Sequence, residues 1–280
     1  RDEAVGVVYN LIPSLNYTYE HSVAGQRSFE IVIGKNVPSM LPESRELNSG
    51  LTIVGLPLVP PEGSESLGDV LLDDIISETH IYNYENSGYL ELETDHSLIQ
   101  GQGLWVNTET DFVWTMEGEK DEDGVAIPLS NGWSLVGYPL WLNGGLDRVA
   151  IDYQDNRISY LTAVNEGLVS GAIFDYDPNT DSYFATNSLE PWHGYWFAAL
   201  EDSVSLWFDY RNLEHETGNN KTYPATEGWL VSVTMDQGAE SLTYGTSESA
   251  TTGFDSALDM PIPPCPPSEI PKPTMRFVHP

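Results

Sequence analysis

Apolar residues in this chain come in short runs broken by Gly, Pro, Asn and Asp, and several runs alternate with polar positions, as in Ser28-Phe29-Glu30-Ile31-Val32-Ile33. A period of two predicts β-strands. Strand signals open at Ala4 to Ile12 and Ser28 to Ile33, before a polar, proline-marked connection from Asn36 to Ser49. Gly50-Leu51-Thr52-Ile53-Val54-Gly55-Leu56-Pro57-Leu58 then returns 82 residues later as Gly132-Trp133-Ser134-Leu135-Val136-Gly137-Tyr138-Pro139-Leu140. Each copy runs on through an aromatic hairpin, Ile81-Tyr82-Asn83-Tyr84 to Tyr89 and Ile173-Phe174-Asp175-Tyr176 to Tyr183, and closes on Gly103-Leu104-Trp105 or Gly194-Tyr195-Trp196. Opening, middle and end recur in order, so the chain contains an internal repeat, with an insertion of roughly ten residues in the second copy. Leu67 to Ile76 puts apolar residues at helical spacing and predicts one short helix; Ile158 to Val164 occupies the same place in copy two.

A third opening, Gly228-Trp229-Leu230-Val231-Ser232-Val233, leads through Gly253-Phe254-Asp255 to a proline-dense stretch from Pro261 to Pro273. Proline lacks the donor that an interior strand needs, so this stretch is expected to run as polyproline II along a surface. Met275-Arg276-Phe277-Val278 looks like the start of another strand. The boundaries that follow are 1–47 for N-terminal strands, 48–118 and 131–209 for the repeats, 119–130 for a charged linker, and 210–280 for a C-terminal β segment with the proline-rich tail. Two or three strands do not make a domain, so the N-terminal segment must dock on another sheet, in this chain or a neighbour.

Composition sharpens this picture. Hydrophobic content of 40%, with 15 Tyr and 8 Trp, suits packed all-β cores. With 11 basic against 43 acidic residues, the formal net charge of −32 repels phosphate backbones and anionic membranes, which excludes nucleic acid as a partner. No run approaches the roughly 20 apolar residues of a membrane helix. Close packing of such acidic chains calls for salt or bound cations, and Ca²⁺ is the natural candidate. Cys265, the sole cysteine, excludes an intrachain disulfide, and its prolines hold it in a stiff, extended segment. The absence of an initiator Met and of a signal peptide before the strand-like run after Arg1-Asp2-Glu3 is expected of a mature or excised piece.

Two constellations carry candidate chemistry. Asp175, Asp177, Asn179 and Asp181 alternate as D-x-D-x-N-x-D, the oxygen-ligand ladder of a calcium loop, although Thr180 and Thr186 stand where an EF-hand needs Gly and Glu. The same run is also what a hairpin turn requires, because these side chains satisfy their own backbone. Among the aromatics, Trp105, Trp133, Trp196 and Tyr195 sit at repeat positions expected of a module core. Trp192 and His193 precede Gly194 in copy two alone and are the better candidate for an exposed ligand platform for polysaccharide, although packing is the favoured reading even there. The six His residues share no ligand spacing, and no nucleophile elbow, zinc-protease helix or phosphate loop is present.

On Gly132 to Pro139 and Leu189-Glu190-Pro191-Trp192-His193-Gly194-Tyr195-Trp196, the repeats resemble tandem modules of secreted bacterial surface proteins, with a G-W-x-L-V-G-x-P strand and an L-x-P-x-x-G-Y-W close. Copy one departs, with Leu51 for Trp and Gln100-Gly101-Gln102 before Gly103. The segment Gly253-Phe254-Asp255 to Asp259-Met260-Pro261 is similar to the opening of an immunoglobulin-like sandwich in such proteins, and Tyr17 to Tyr19 with Arg27 to Ile33 to the end of one. The resemblance implies an all-β fold of two sandwich-like repeats plus immunoglobulin-like strands from both chain ends. It implies no activity. It implies a secreted, cell-surface location and a non-enzymatic structural or adhesive role. Strands cut this way seek partners in other molecules. The expectation is a filament subunit, a homopolymer assembling head to tail through Val5, Val7, Tyr9, Leu11, Phe29, Ile31 and Ile33. The alternative is a carbohydrate-binding or adhesion module of a secreted protein.

Overall fold

The structure, a computed structural model, describes residues 40–71, 79–120, 123–209, 230–234, 241–245 and 262–267. The expected assembly strands around Val5, Val7, Tyr9, Leu11, Phe29, Ile31 and Ile33 lie outside the described residues, as do Gly253 to Pro261 and Met275 to Val278.

The described chain is all-β with two short helices. In order, the first repeat contributes β1 (Met40–Leu47), β2 (Gly50–Gly55), α1 (Leu67–Leu71), β3 (Thr79–Glu85), β4 (Gly88–Glu91), β5 (Gly103–Thr108) and β6 (Phe112–Glu119). The second contributes β7 (Val125–Pro128), β8 (Gly132–Gly137), β9 (Gly144–Gly145), β10 (Ala150–Tyr153), β11 (Asn156–Ser159), α2 (Tyr160–Asn165), β12 (Ile173–Asp177), β13 (Ser182–Thr186), β14 (Ser188–Leu189), β15 (Gly194–Ala199) and β16 (Ser205–Phe208). The third opening is also a strand, β17 (Leu230–Thr234), paired antiparallel with β18 (Ser241–Gly245).

The repeat is realised strand for strand. One sheet has the order β2-β5-β3-β4 and the other β8-β15-β12-β13, so opening strand, closing strand and hairpin occupy the same places in both. The insertion in copy two carries the β10–β11 hairpin, which extends a second sheet of order β11-β10-β16-β7; its counterpart in copy one is the β1–β6 pair. The Leu67 to Ile76 helix is present over Leu67–Leu71, and copy two has α2 in the matching place, started by Ser159, whose hydroxyl accepts from Thr162 N–H at 3.1 Å.

Two stretches expected as connections are strands. The polar segment 36–49 contains β1, and the charged linker 119–130 contains β7, so each repeat gains a strand before its opening. Both were obscured for one reason. Among the described residues they are edge strands with one partner each, β6 and β16, and an edge tolerates polar residues and the missing N–H of Pro42 and Pro128.

Alternation along the central strands feeds two different cores. Leu104 and Val106 of β5 point toward β1, β6 and α1, where they meet Val54, Leu71, Trp114 and Met116. Tyr195, Phe197 and Ala199 of β15 point toward α2 and β16, among Val136, Ala163, Ile173 and Leu206. The opposite faces supply a third core, in which Ile53 and Trp105 of copy one pack with Leu135, Tyr176 and Trp196 of copy two. The repeats are therefore two tandem sandwich-like modules, each with a core of its own, that also share a central aromatic layer. Burial on both faces explains why β2, β5 and β15 read as continuous apolar runs.

Candidate functional site

The central layer obeys an approximate twofold symmetry between the repeats. Tyr84 meets Trp196 edge-on at 4.8 Å between centroids, and its counterpart Tyr176 meets Trp105 at 4.8 Å. Tyr84 and Tyr89 stand 5.2 Å apart, Tyr176 and Tyr183 5.6 Å. Such edge-to-face pairs contribute about 0.5–1.5 kcal/mol each beyond area burial.

Backbone exchange locks the two sheets. Gly55 N–H donates to the Trp192 carbonyl at 3.0 Å, and its counterpart Gly137 N–H donates to the Gly101 carbonyl at 2.9 Å. The end of each opening strand thus hydrogen-bonds the loop before the other repeat's closing strand. The backbones approach so closely that a Cβ on Gly55 would lie 2.4 Å from Gly137 Cα, and one on Gly137 would lie 2.7 Å from Gly55 Cα. Glycine is required at both positions.

At the mouth of this layer lies a groove holding residues 262–267. The Tyr89 hydroxyl donates to the Cys265 carbonyl at 2.6 Å, and the equivalent Tyr183 hydroxyl donates to the Pro264 carbonyl at 2.6 Å. Pro263 is buried, while Ile262 and Cys265 are exposed. Burial pushes both phenols well above the ordinary tyrosine range, and the Coulombic influence of Tyr84 on Tyr89 and of Tyr89 on Tyr183 adds to it. The Trp105 indole N–H lowers the Tyr89 pKa and that of Trp196 lowers the Tyr183 pKa, yet neither buried N–H closes a hydrogen bond of normal geometry. Two matching repeat residues thus grip consecutive carbonyls of a proline-rich segment. Each aromatic was visible as a repeat position; its partner, 81 residues from Tyr183 and 176 from Tyr89, was not.

Of the candidate platform, Trp192 is packed. Trp192 is 5% exposed and inserts into the core of repeat one, its ring 5.8 Å from that of Trp114. It has φ of 70°, matching the 86° of Gly101 at the equivalent position, because the crossing loop needs a left-handed residue there. Arg45 of β1 donates to the Trp192 carbonyl at 2.6 Å and caps the crossing. Burial lowers the Arg45 pKa, and Asp175, Tyr195 and Glu190 counter this. His193 is half-buried, with Nδ1 3.1 Å from Asp175 Oδ2 and Nε2 4.0 Å from Glu190 Oε2. Trp105, Trp133 and Trp196 belong to the shared layer, and Tyr195 to the core of repeat two. Arg45 gave no sequence signal, sitting in a stretch that looked like a connection.

The acidic ladder is divided among separate partners. Asp175 is buried and faces His193, while its other oxygen accepts from Tyr176 N–H at 2.7 Å. Asp177 accepts from Asn179 N–H at 2.9 Å and from the Thr180 hydroxyl at 3.0 Å. The Asn179 N–H, then the Thr180 hydroxyl, holds its carboxyl below the usual range. Asp181, at φ of 52°, accepts from the Tyr176 hydroxyl. These contacts make Asp177, Asn179 and Asp181 a self-satisfied hairpin turn, while Asp175 lies in the strand before it against His193. Among the described residues, no group of three or more His, Cys, Asp or Glu is arranged to hold a metal ion. Comparison of the chain with protein-family models, with curated proteins and with solved structures found no match.

Proposed function

We propose that this protein is a non-enzymatic structural protein of the cell exterior, a subunit joined to further copies of itself through extended segments. One observation supports the reading above others: the paired repeats grip an extended, proline-rich stretch through Tyr89 and Tyr183, equivalent residues of the two copies. A body that holds extended chain against its surface is the part a strand-exchanging subunit needs. The duplicated aromatics, which would have to be free for carbohydrate stacking, are spent on joining the repeats, and Trp192 is buried.

Electron microscopy of the full chain at micromolar concentration tests the proposal. Regular filaments are the expected result. Isolated particles over a wide range of concentration and salt would overturn it.

A further inference from the structure

The groove between the repeats is chemically one-sided. It presents the hydroxyls of Tyr89 and Tyr183, and beside them the buried Trp105 and Trp196 indole N–H groups, which act on those phenols without closing a hydrogen bond of normal geometry. All four groups can donate, and the indoles can only donate. An ordinary peptide entering such a site would bring backbone N–H groups for which, among these four groups, only the two phenol oxygens could accept, and each N–H left stranded costs about 1–3 kcal/mol. The stretch Ile262-Pro263-Pro264-Cys265-Pro266-Pro267 avoids this, since four of its six residues have no N–H and all six keep a carbonyl.

Shape agrees with chemistry. Ile262, Pro263, Cys265 and Pro266 each precede a proline and are restricted to extended conformations, so little conformational entropy is lost on docking. A β-strand turns consecutive carbonyls to opposite sides, whereas polyproline II, with three residues per turn, separates them by about 120° and lets one face of a groove reach both. Tyr183 and Tyr89 take the consecutive carbonyls of Pro264 and Cys265, and Pro263 is buried.

We propose that this groove is a recognition site for proline-rich, donor-poor peptide in polyproline II conformation, and that residues 262–267 of the chain itself are its resident occupant. The proposal rests on the reading of the protein as one that links through extended segments. Tyr89 and Tyr183 select carbonyl acceptors, and the pair arises only because two repeats face each other, so neither copy alone contains the site.

The sole cysteine supplies the test. Cys265 carries an exposed thiol, so a nitroxide attached there in the full chain reports the tail by its spectral line shape. The unaltered chain is expected to show a predominantly immobilised label. Tyr89→Phe and Tyr183→Phe should each raise the free-to-bound ratio about tenfold, the size expected for loss of one hydrogen bond of roughly 1.4 kcal/mol, and the double variant more. An excess of synthetic peptide spanning residues 259–267, with Ser for Cys265, should release the labelled tail at millimolar concentration, the effective concentration of a tethered competitor. A matching peptide with Ala for Pro263, Pro264, Pro266 and Pro267 should not. A label equally mobile in the unaltered chain and the double variant, with thermal unfolding unchanged, would overturn the proposal, as would equal competition by the two peptides. Microscopy of the same samples separates the two readings: filaments with a mobile tail sink the groove alone, and a docked tail without filaments sinks assembly alone.

Discussion

Trp192 concentrates the residue-scale argument. A tryptophan at φ of 70° carries about 1–2 kcal/mol of backbone strain, which burial of its ring beside Trp114 must exceed. Trp192→Ala should cost about 3–5 kcal/mol in chemical denaturation, through the cavity left in repeat one. Trp192→Gly should be the milder change by about 1 kcal/mol, reversing the usual order, because glycine relieves the strain that alanine keeps. Gly55→Ala has no such relief, since its Cβ would press on backbone atoms of Gly137, Tyr138 and His193. A loss of about 3 kcal/mol or more is expected in the same assay. The glycines themselves were plain in the repeated G-x-x-x-x-G opening. Their reason was not, because the atoms that exclude a Cβ belong to the other copy.

At the scale of elements, the hairpins show how much local sequence decides. β3–β4 turns on Asn86 and Ser87, both at positive φ, which is the two-residue geometry that matches strand twist. β12–β13 uses a longer turn that Asp177 and Asp181 hydrogen-bond from within. Since those carboxylates already have partners, adding Ca²⁺ or chelating it should leave the melting temperature within about 1 °C, while Asp177→Ala should lower it through loss of the turn bonds; a large calcium-dependent rise would restore the metal reading. The edge strands β1 and β7 were illegible for the opposite reason. Their pattern is set by what a single neighbouring strand leaves exposed, and only the pairing with β6 and β16 reveals them.

For the whole molecule, the shared layer makes the repeats interdependent. Expressed alone, either repeat would expose its half of the Ile53, Trp105, Leu135, Tyr176 and Trp196 core. Sedimentation should find each isolated repeat dimeric or aggregated, with the dimer imitating the internal twofold; a stable, monomeric single repeat would contradict the layer. The same burial sets the alkaline response. Tyr89, Tyr138, Tyr176, Tyr183 and Tyr195 are all raised, chiefly by desolvation. In the unfolded chain they ionise near about pH 10, so above that the folded state holds more protons than the unfolded state. Their contribution to stability is therefore level below about pH 10 and falls as pH rises further, by up to about 1.4 kcal/mol per unit for each phenol still neutral in the fold. Urea midpoints followed across this range, with phenolate absorbance, would read the slope.

The β class, the duplication and the order of strands within each copy were determined by the sequence alone, because period-two patterning and turn chemistry act between near neighbours. Tertiary structure decided where each face went. Repeat tryptophans expected in a module core joined a layer shared by both copies, a candidate ligand ring became an anchor in the opposite repeat, and two repeat tyrosines became a grip on prolines far along the chain. The physical reason is that a strand has two faces, and alternation marks a face as buried without saying what will bury it. That is settled only when the two sheets meet.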